Sequence, residues 1–332
     1  MTFVSRLKST TTAVSRLALG VAMGLGLVVA IAGVPAKALA QAVPAPTAEA
    51  PSAAPALRAV PQAQGQGPAM WVIRDADSTI YLFGTVHVLR PTTAWGTARV
   101  DAAFDSADEF WMEISNPDDQ AALMPIIQQH GLDPANPLSS RLTAEEFAKF
   151  DEAAKTLGAS GAQLDVFRPW LAALQLSVAP LVKAGYDPQS GVEIVLKARA
   201  EAAGKPIKGF ETLDQQIRIL ADMPEDIQLA FLRSTLEDYD EAATMLDGMV
   251  SSWSTGDVDA LDRVMVEEMK TEMPQVYEAL LTRRNQAWAG QIQDLLAGSG
   301  TVFIAVGAAH LVGDDSVQSM LEDRGIEVDE AS

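Results

Sequence analysis

Thr301-Val-Phe-Ile-Ala-Val306-Gly307-Ala-Ala-His310 is the stretch on which the reading of the fold turns. From Val302 to Val306 no polar residue interrupts the run. That pattern suits a strand covered on both faces, in the middle of a sheet packed between helices. Gly307 follows at once, and a glycine there lets the backbone turn sharply and approach other groups closely. His310 is then held just beyond the strand's C-terminal end, the edge at which open α/β sheets bind ligands.

The same local pattern stands at the other end of the chain, in Phe83-Gly84-Thr85-Val86-His87. Two of the three histidines therefore sit in matching glycine–x–x–histidine segments. Working outward, Trp71–Arg74 and Thr79–Phe83 read as two strands, and Asp75-Ala-Asp-Ser78 supplies a hairpin turn between them. A helix is expected over about 97–107. Glu109-Phe-Trp-Met-Glu-Ile114 is a short apolar strand ending near Glu113. From about 118 to 300 the pattern is mostly helical. Thr143-Ala-Glu-Glu146 is a capping box that opens one helix, and 169–183 and 191–203 are further helices. Lys205–Phe210 is a strand ending at Glu211. Helices follow over about 213–222, 225–250, 258–271 and 274–297. A short helix near 315–324 leads to a last strand at Ile326–Val328. Strands at both ends with helices between them predict an α/β domain over 71–332. It is a central mixed, largely parallel sheet built from N- and C-terminal strands, with a mostly helical insertion over about 118–300.

The chain has 332 residues and no cysteine, which excludes disulfides, thiolate metal sites and a cysteine nucleophile. Residues 1–40 read as a signal peptide. Arg6, Lys8 and Arg16 form a basic start, Leu17–Val34 an apolar run, and Ala38-Leu39-Ala40 a small-residue cleavage site. The protein is thus expected to be exported, periplasmic or extracellular, and an uncleaved leader would tether it to the membrane. Residues 41–70, rich in Ala, Pro and Gln, read as a disordered linker. Removing the leader's four basic residues takes the net charge from −20 to −24. So acidic a body argues against nucleic acid and anionic membrane surfaces as partners. A peptide or small-molecule substrate remains, and the oligomeric state is left open.

Two further strands carry a carboxylate to what the topology makes the same edge, Glu113 and Glu211. If their strands are parallel neighbours, His87, His310, Glu113 and Glu211 converge. Imidazole plus carboxylate without thiolate suits a divalent manganese, iron, cobalt or zinc ion, which acidifies bound water. The plain alternatives are a hydrogen-bonded structural histidine and glutamates that cap the next helix. His130, before Gly131 at a helix end, is explained by the helix dipole. Trp170, Trp253 and Trp288 read as core. No Gly-x-Ser-x-Gly elbow, His-Glu-x-x-His helix, P-loop or dinucleotide fingerprint is present.

These residues resemble the TraB/GumN family, which includes the Tiki-type proteases. The likeness runs through both GxxH segments, the Glu113 strand, and Arg168-Pro169-Trp170, where the family more often has Lys-Pro-Trp. It continues in Gly191-Val-Glu193, in Phe210-Glu211-Thr212 with Gln215, where the family usually reads Leu-Glu-Thr, and in Trp253 with Gly256-Asp257. It closes on Arg284-Asn285 with Trp288 and on Gly307-Ala-Ala-His310-Leu-Val-Gly313, so that about residues 71–328 are covered. The resemblance implies an α/β core related to erythromycin-esterase-like and ChaN-like proteins. It implies a metal-dependent hydrolase, a peptidase by analogy with Tiki members, with manganese or cobalt as cofactor. His87 and His310 would be metal ligands, and Glu113 and Glu211 ligands or general base. Arg284 and Asn285 would orient substrate or the acids. Two other functions use the same residues: a non-enzymatic protein that sequesters a peptide or haem, and a metal-independent esterase with a histidine base.

Overall fold

A computed structural model describes residues 58–331. The expected signal peptide and residues 41–57 of the expected linker lie outside the described residues. Among the described residues no helix is long and apolar enough to cross a membrane.

The domain is α/β. Its strands are β1 (Met70–Arg74), β2 (Ser78–Thr85), β3 (Glu109–Ile114), β4 (Ile207–Glu211), β5 (Gly300–Gly307) and β6 (Asp329–Glu330). They form one six-stranded sheet in the order β4-β3-β5-β2-β1-β6. β2, β5, β3 and β4 run parallel; β1 is antiparallel to both β2 and β6. β5 is central, as its unbroken apolar run predicts. Phe303 and Ala305 join the core on one face of the sheet, and Ile304 and Val306 the core on the other. β5 pairs with β2 from Ser78↔Gly300 to Thr85↔Gly307, so the two GxxH segments leave the sheet side by side. β3 and β4 are parallel neighbours, with Ile114 opposite Glu211.

The helices that matter for the site are α1 (Gln120–His130), α2 (Pro169–Lys183), α3 (Val192–Ala202), α4 (Leu213–Ala221), α5 (Ala242–Thr255) and α6 (Arg283–Leu296). α2 begins with Pro at its first turn, where the missing N–H costs nothing, and most of its side chains are buried. α4 opens with a capping box between Thr212 and Gln215. The helix expected over 143–157 is present as Ala144–Thr156, with the Thr143/Glu146 box in place.

Three expectations are corrected. The helix expected over 225–250 breaks into Glu225–Glu237 and α5, because the turn at 238–241 interrupts it. The long helices near 258–271 and 274–297 contain π-helical turns at Asp262–Glu267 and Glu278–Thr282. Such turns add a residue to the helix without changing its hydrophobic pattern, so periodicity does not reveal them. The last strand is Asp329–Glu330 and not Ile326–Val328; Gly325, at φ +76°, turns the chain, which reaches the edge of β1 only at 329. Residues 58–69, read from composition as the end of the linker, lie against the domain. Arg58 bonds Asp187 and Ser190, and Pro61 O accepts from the backbone of Trp95 and Gly96.

Candidate active site

The C-terminal edge of the parallel strands delivers His87, Glu113, Glu211 and His310 to one place. The backbone permits this through close approaches. A Cβ on Gly84 would stand 3.2 Å from Ala308 Cα, so the glycine lets the second GxxH segment pack on the first. Gly307 has φ −49°, open to any residue, and its N–H donates to Glu113 Oε1 at 2.9 Å. Trp253, on α5, donates its indole N–H to Gly84 O at 2.8 Å and pins the first segment from outside the sheet. It is core, as expected, and also a support of the site.

Both histidines are buried, and both are oriented through Nδ1. His87 donates from Nδ1 to Glu193 Oε1 at 2.5 Å. His310 donates from Nδ1 to Asn285 Oδ1 at 2.5 Å, and the Asn285 amide is fixed in turn by donating to Asp315 O at 2.7 Å. Each imidazole therefore turns Nε2 inward. His87 Nε2 stands 3.9 Å from Glu113 Oε1, and His310 Nε2 stands 3.8 Å from the same oxygen. His87 Nε2 is buried and has no hydrogen-bond partner among the described residues.

Arg284, near the start of α6, organises the acids. The π-turn at 278–282 sets the phase of α6 so that Arg284, Asn285 and Trp288 face the sheet edge. Each of the five N–H groups of the guanidinium finds an acceptor. Nε donates to Glu211 Oε1 at 2.8 Å, and Nη2 to Glu113 Oε2 at 2.6 Å and Glu211 Oε2 at 2.9 Å. Nη1 donates to Leu280 O, inside the π-turn, at 3.1 Å and to His310 Nε2 at 2.9 Å. Because a guanidinium only donates, His310 Nε2 accepts there. Gln216, on α4, bridges the two acids, donating to Glu113 Oε2 at 2.8 Å and Glu211 Oε2 at 3.0 Å. Trp288 donates to Glu211 Oε1 at 3.2 Å and packs on the His310 ring at 4.3 Å between centroids.

The electrostatics follow. Burial pushes the Glu113 carboxyl up, but Arg284, His310, His87 and the Gly307 N–H together hold it well below the usual carboxylate range. Burial alone would lower the His87 imidazole. The charge and hydrogen bond of Glu193, with Glu113 behind, outweigh it and raise the group above its ordinary 6.5. Burial also works against the Arg284 charge, and Glu211 and Glu113 overcome it. Glu113, Glu193 and Glu211 share the Arg284 guanidinium and the two imidazoles as their polar partners in a buried place. Buried charge is stable only when paired or coordinated, which is why the acids, the guanidinium and the imidazoles are held in mutual contact.

All the expected site residues thus meet in one cluster: His87, His310, Glu113, Glu211, Arg284 and Asn285. Neither strand-end glutamate caps the helix that follows it; Thr212 caps α4. Glu193 and Gln216 escaped the sequence reading as site residues. Glu193 begins α3, where an acid is explained by the helix dipole. Gln216 looks like any polar residue of an amphipathic helix. Only tertiary contact distinguishes them, although Glu193 lies in a segment that carries the family resemblance. His130 ends α1 as expected, 3.5 Å from Asp214.

The donor set fits a divalent cation in kind: two imidazole nitrogens, one of them without a partner, and a carboxylate oxygen facing both. Each Nδ1 is backed by a side-chain oxygen, the usual outer support of metal-bound histidine. The spacing is wider than a closed coordination sphere. Among the described residues, no three His, Asp or Glu groups stand close enough to hold a metal as they are.

Beside the cluster a groove of about 820 Å³ opens to solvent, with Glu211, Arg284 and Trp288 among its lining residues.

An α/β domain that carries two histidines, three glutamates and an arginine on the C-terminal edge of its parallel strands defines the class. The chain belongs to the TraB/PrgY/gumN family, whose model matches residues 69–330. It is similar to "Uncharacterized protein YbaP" of Escherichia coli (strain K12), with 25% identity over 76% of this chain and 92% of that one. The protein of the same name in Shigella flexneri is equally similar. An "Uncharacterized protein" of Treponema pallidum (strain Nichols) is 25% identical over 76% of this chain and 80% of its own. No solved structure matches.

Proposed function

We propose that this chain is an exported metal-dependent hydrolase acting on peptide bonds, with water activated among His87, His310 and Glu113. The observation that carries the reading is His87 Nε2, buried and unpartnered, facing an acid oxygen that His310 Nε2 faces from 3.8 Å. Manganese or cobalt held by His87, His310 and Glu113 would supply Lewis acidity, lowering the pKa of water. The chain's own residues do the rest. Glu193 and Asn285 hold the two Nδ1 protons and so present both Nε2 lone pairs inward. Glu113, kept ionised by Arg284, offers a fixed negative charge. Glu211 is the one of the three acids that also lines the groove; it would take the proton released by the attacking water and hand it to the leaving amine, ending as it began. The Arg284 guanidinium also lines the groove, and Nη1 is the donor that can turn to the carbonyl oxygen as charge develops there. Purified protein with manganese or cobalt should cleave unstructured peptides, and a chelator should stop it. Equal cleavage by His87→Ala rules the proposal out.

A second reading is favoured by the 2.9 Å contact of Arg284 Nη1 with His310 Nε2, the place a cation would need. In it His87, backed by Glu193, is the general base of a metal-independent esterase. Hydrolysis of small esters that survives chelation but not His87→Ala supports this reading against the first.

A further inference from the structure

The groove has a composition that its role as an access route does not require. Phe210 and Trp288 form a buried stack behind its wall, ring centroids 5.2 Å apart and planes at 21°. Ile219, Met223, Ile227 and Val276 give it apolar walls. The charges on its rim are largely spent on one another: Arg218 bonds Asp222 at 2.9 Å, and Arg283 bonds Glu278 at 2.8 Å. Met223, Ile227 and Val276 are shared with a small apolar crevice whose other walls include Trp170, Leu220 and Phe231. Apolar residues thus run from beside Arg284 and Glu211 to the walls of that crevice.

The same place has an open strand edge. Phe210 and Glu211 end β4, which is the outermost strand of the sheet, and among the described residues no strand pairs with its outer side. An edge strand offers backbone donors and acceptors to an extended chain, and flanking pockets then choose its side chains. An apolar anchor next to a strand edge and a reactive cluster is what an extended peptide uses, whereas a compact small molecule needs no strand edge.

We propose that this groove is the specificity subsite of the chain, taking a large apolar or aromatic side chain next to the scissile bond of an extended peptide. The proposal rests on the peptidase reading and adds to it which peptides are bound. Met223, Ile227 and Val276 select the side chain, and the Phe210–Trp288 stack carries it beside Glu211 and Arg284.

The test separates binding from turnover. Two fluorescein-labelled peptides, identical except for Phe or Asp at the central position, are titrated against the full chain carrying His87→Ala. The unsubstituted chain in chelator serves as a second arm should that variant not fold. Burial of one phenyl group predicts at least about tenfold tighter binding of the Phe peptide. Adding Met223→Asp, or Met223→Gln if the former melts early, should erase most of that preference while circular dichroism stays unchanged. Equal binding of the two peptides, or a preference untouched by a folded Met223 variant, overturns the proposal. In the active chain, cleavage sites mapped by mass spectrometry in a peptide mixture should gather at Phe, Leu, Met and Trp. Apolar preference in binding without any cleavage leaves the subsite standing and removes the peptidase reading instead.

Discussion

Replacing Arg284 with Met is the perturbation that bears most directly on how the site is built. The side chain is 5% exposed, and it is the one guanidinium between Glu113 and Glu211. Met keeps much of the volume and removes the charge and all five donors. Glu113 and Glu211 are then left next to each other in a buried place with Gln216 as their shared neutral donor. Breaking a buried ion pair from one side costs about 3–5 kcal/mol, because the remaining charge is uncompensated. For a domain of this size that is a fall of roughly 6–20 °C in melting temperature. The loss must depend on pH. In the unsubstituted chain Glu113 is held below its ordinary 4.5, so its contribution is present above that value and fades as pH falls. Without Arg284, burial pushes the same carboxyl up, so the variant gains relative stability on acidification. The two melting curves should therefore lie far apart at pH 7.5 and draw together as pH falls to 4.5 and below. The measurement is thermal and urea unfolding across that range, in chelator so that no adventitious cation replaces the lost charge. A loss under about 1 kcal/mol, or one that stays constant with pH, refutes the account of Arg284 as the neutralising group of the cluster.

Further predictions follow from the same contacts. Since Glu193 raises the His87 pKa, activity and metal uptake should be lost as pH falls through a value above 6.5, where the imidazole gains a proton. In Glu193→Gln that midpoint should move to lower pH, and activity should drop about tenfold or more because the ring loses its anchor; an unmoved midpoint in a pH–rate profile contradicts the assignment. Gly191→Ala would place a Cβ 2.3 Å from His87 O and 3.0 Å from its carbonyl carbon, backbone atoms that cannot swing aside. It should cost about 1–3 kcal/mol in urea unfolding and reduce activity by more than the stability loss explains; a neutral Gly191→Ala would show that His87 is not held by this approach. Trp253→Phe removes the donor to Gly84 O in the interior and should cost about 1–2 kcal/mol, with a change in kcat larger than in KM if the first GxxH segment loosens.

The sheet was legible because its strands obey simple rules. The polar-free run of β5 required cover on both faces, and the hairpin of β1 and β2 carried its own turn residues. The convergence of His87 with His310 was legible for a topological reason. Two identical local devices at the ends of parallel strands can meet only at one edge, and here the strands are direct neighbours from Ser78↔Gly300 onward. Beyond the position of the short last strand and the packing of residues 58–69, what the sequence did not reveal lies in the helices. Glu193 and Gln216 carry no signal of their own, since acids near helix starts and glutamines on helix faces are common. The π-turns were hidden because one inserted residue leaves each flanking segment with an ordinary helical pattern.

The π-turn at 278–282 also accounts for the order of residues on α6. Arg284 and Trp288 lie one helical turn apart and face the same way, so any phase that brings one to the sheet edge brings both. Without the inserted residue, the helix leading in from Pro274 would set α6 about 100° away from this phase, the rotation of a single helical residue. Arg284 would then face away from Glu113. Leu280 O, inside the turn, also accepts from Arg284 Nη1 at 3.1 Å, so the irregular stretch holds the guanidinium as well as setting its direction. The bound guanidinium in turn fixes the spacing of two glutamates on different strands, 98 residues apart in sequence. A local departure from regular helix thereby sets the geometry of a site whose other parts are delivered by regular strands, which is why the strands could be read from sequence and the helix phase that places the arginine could not.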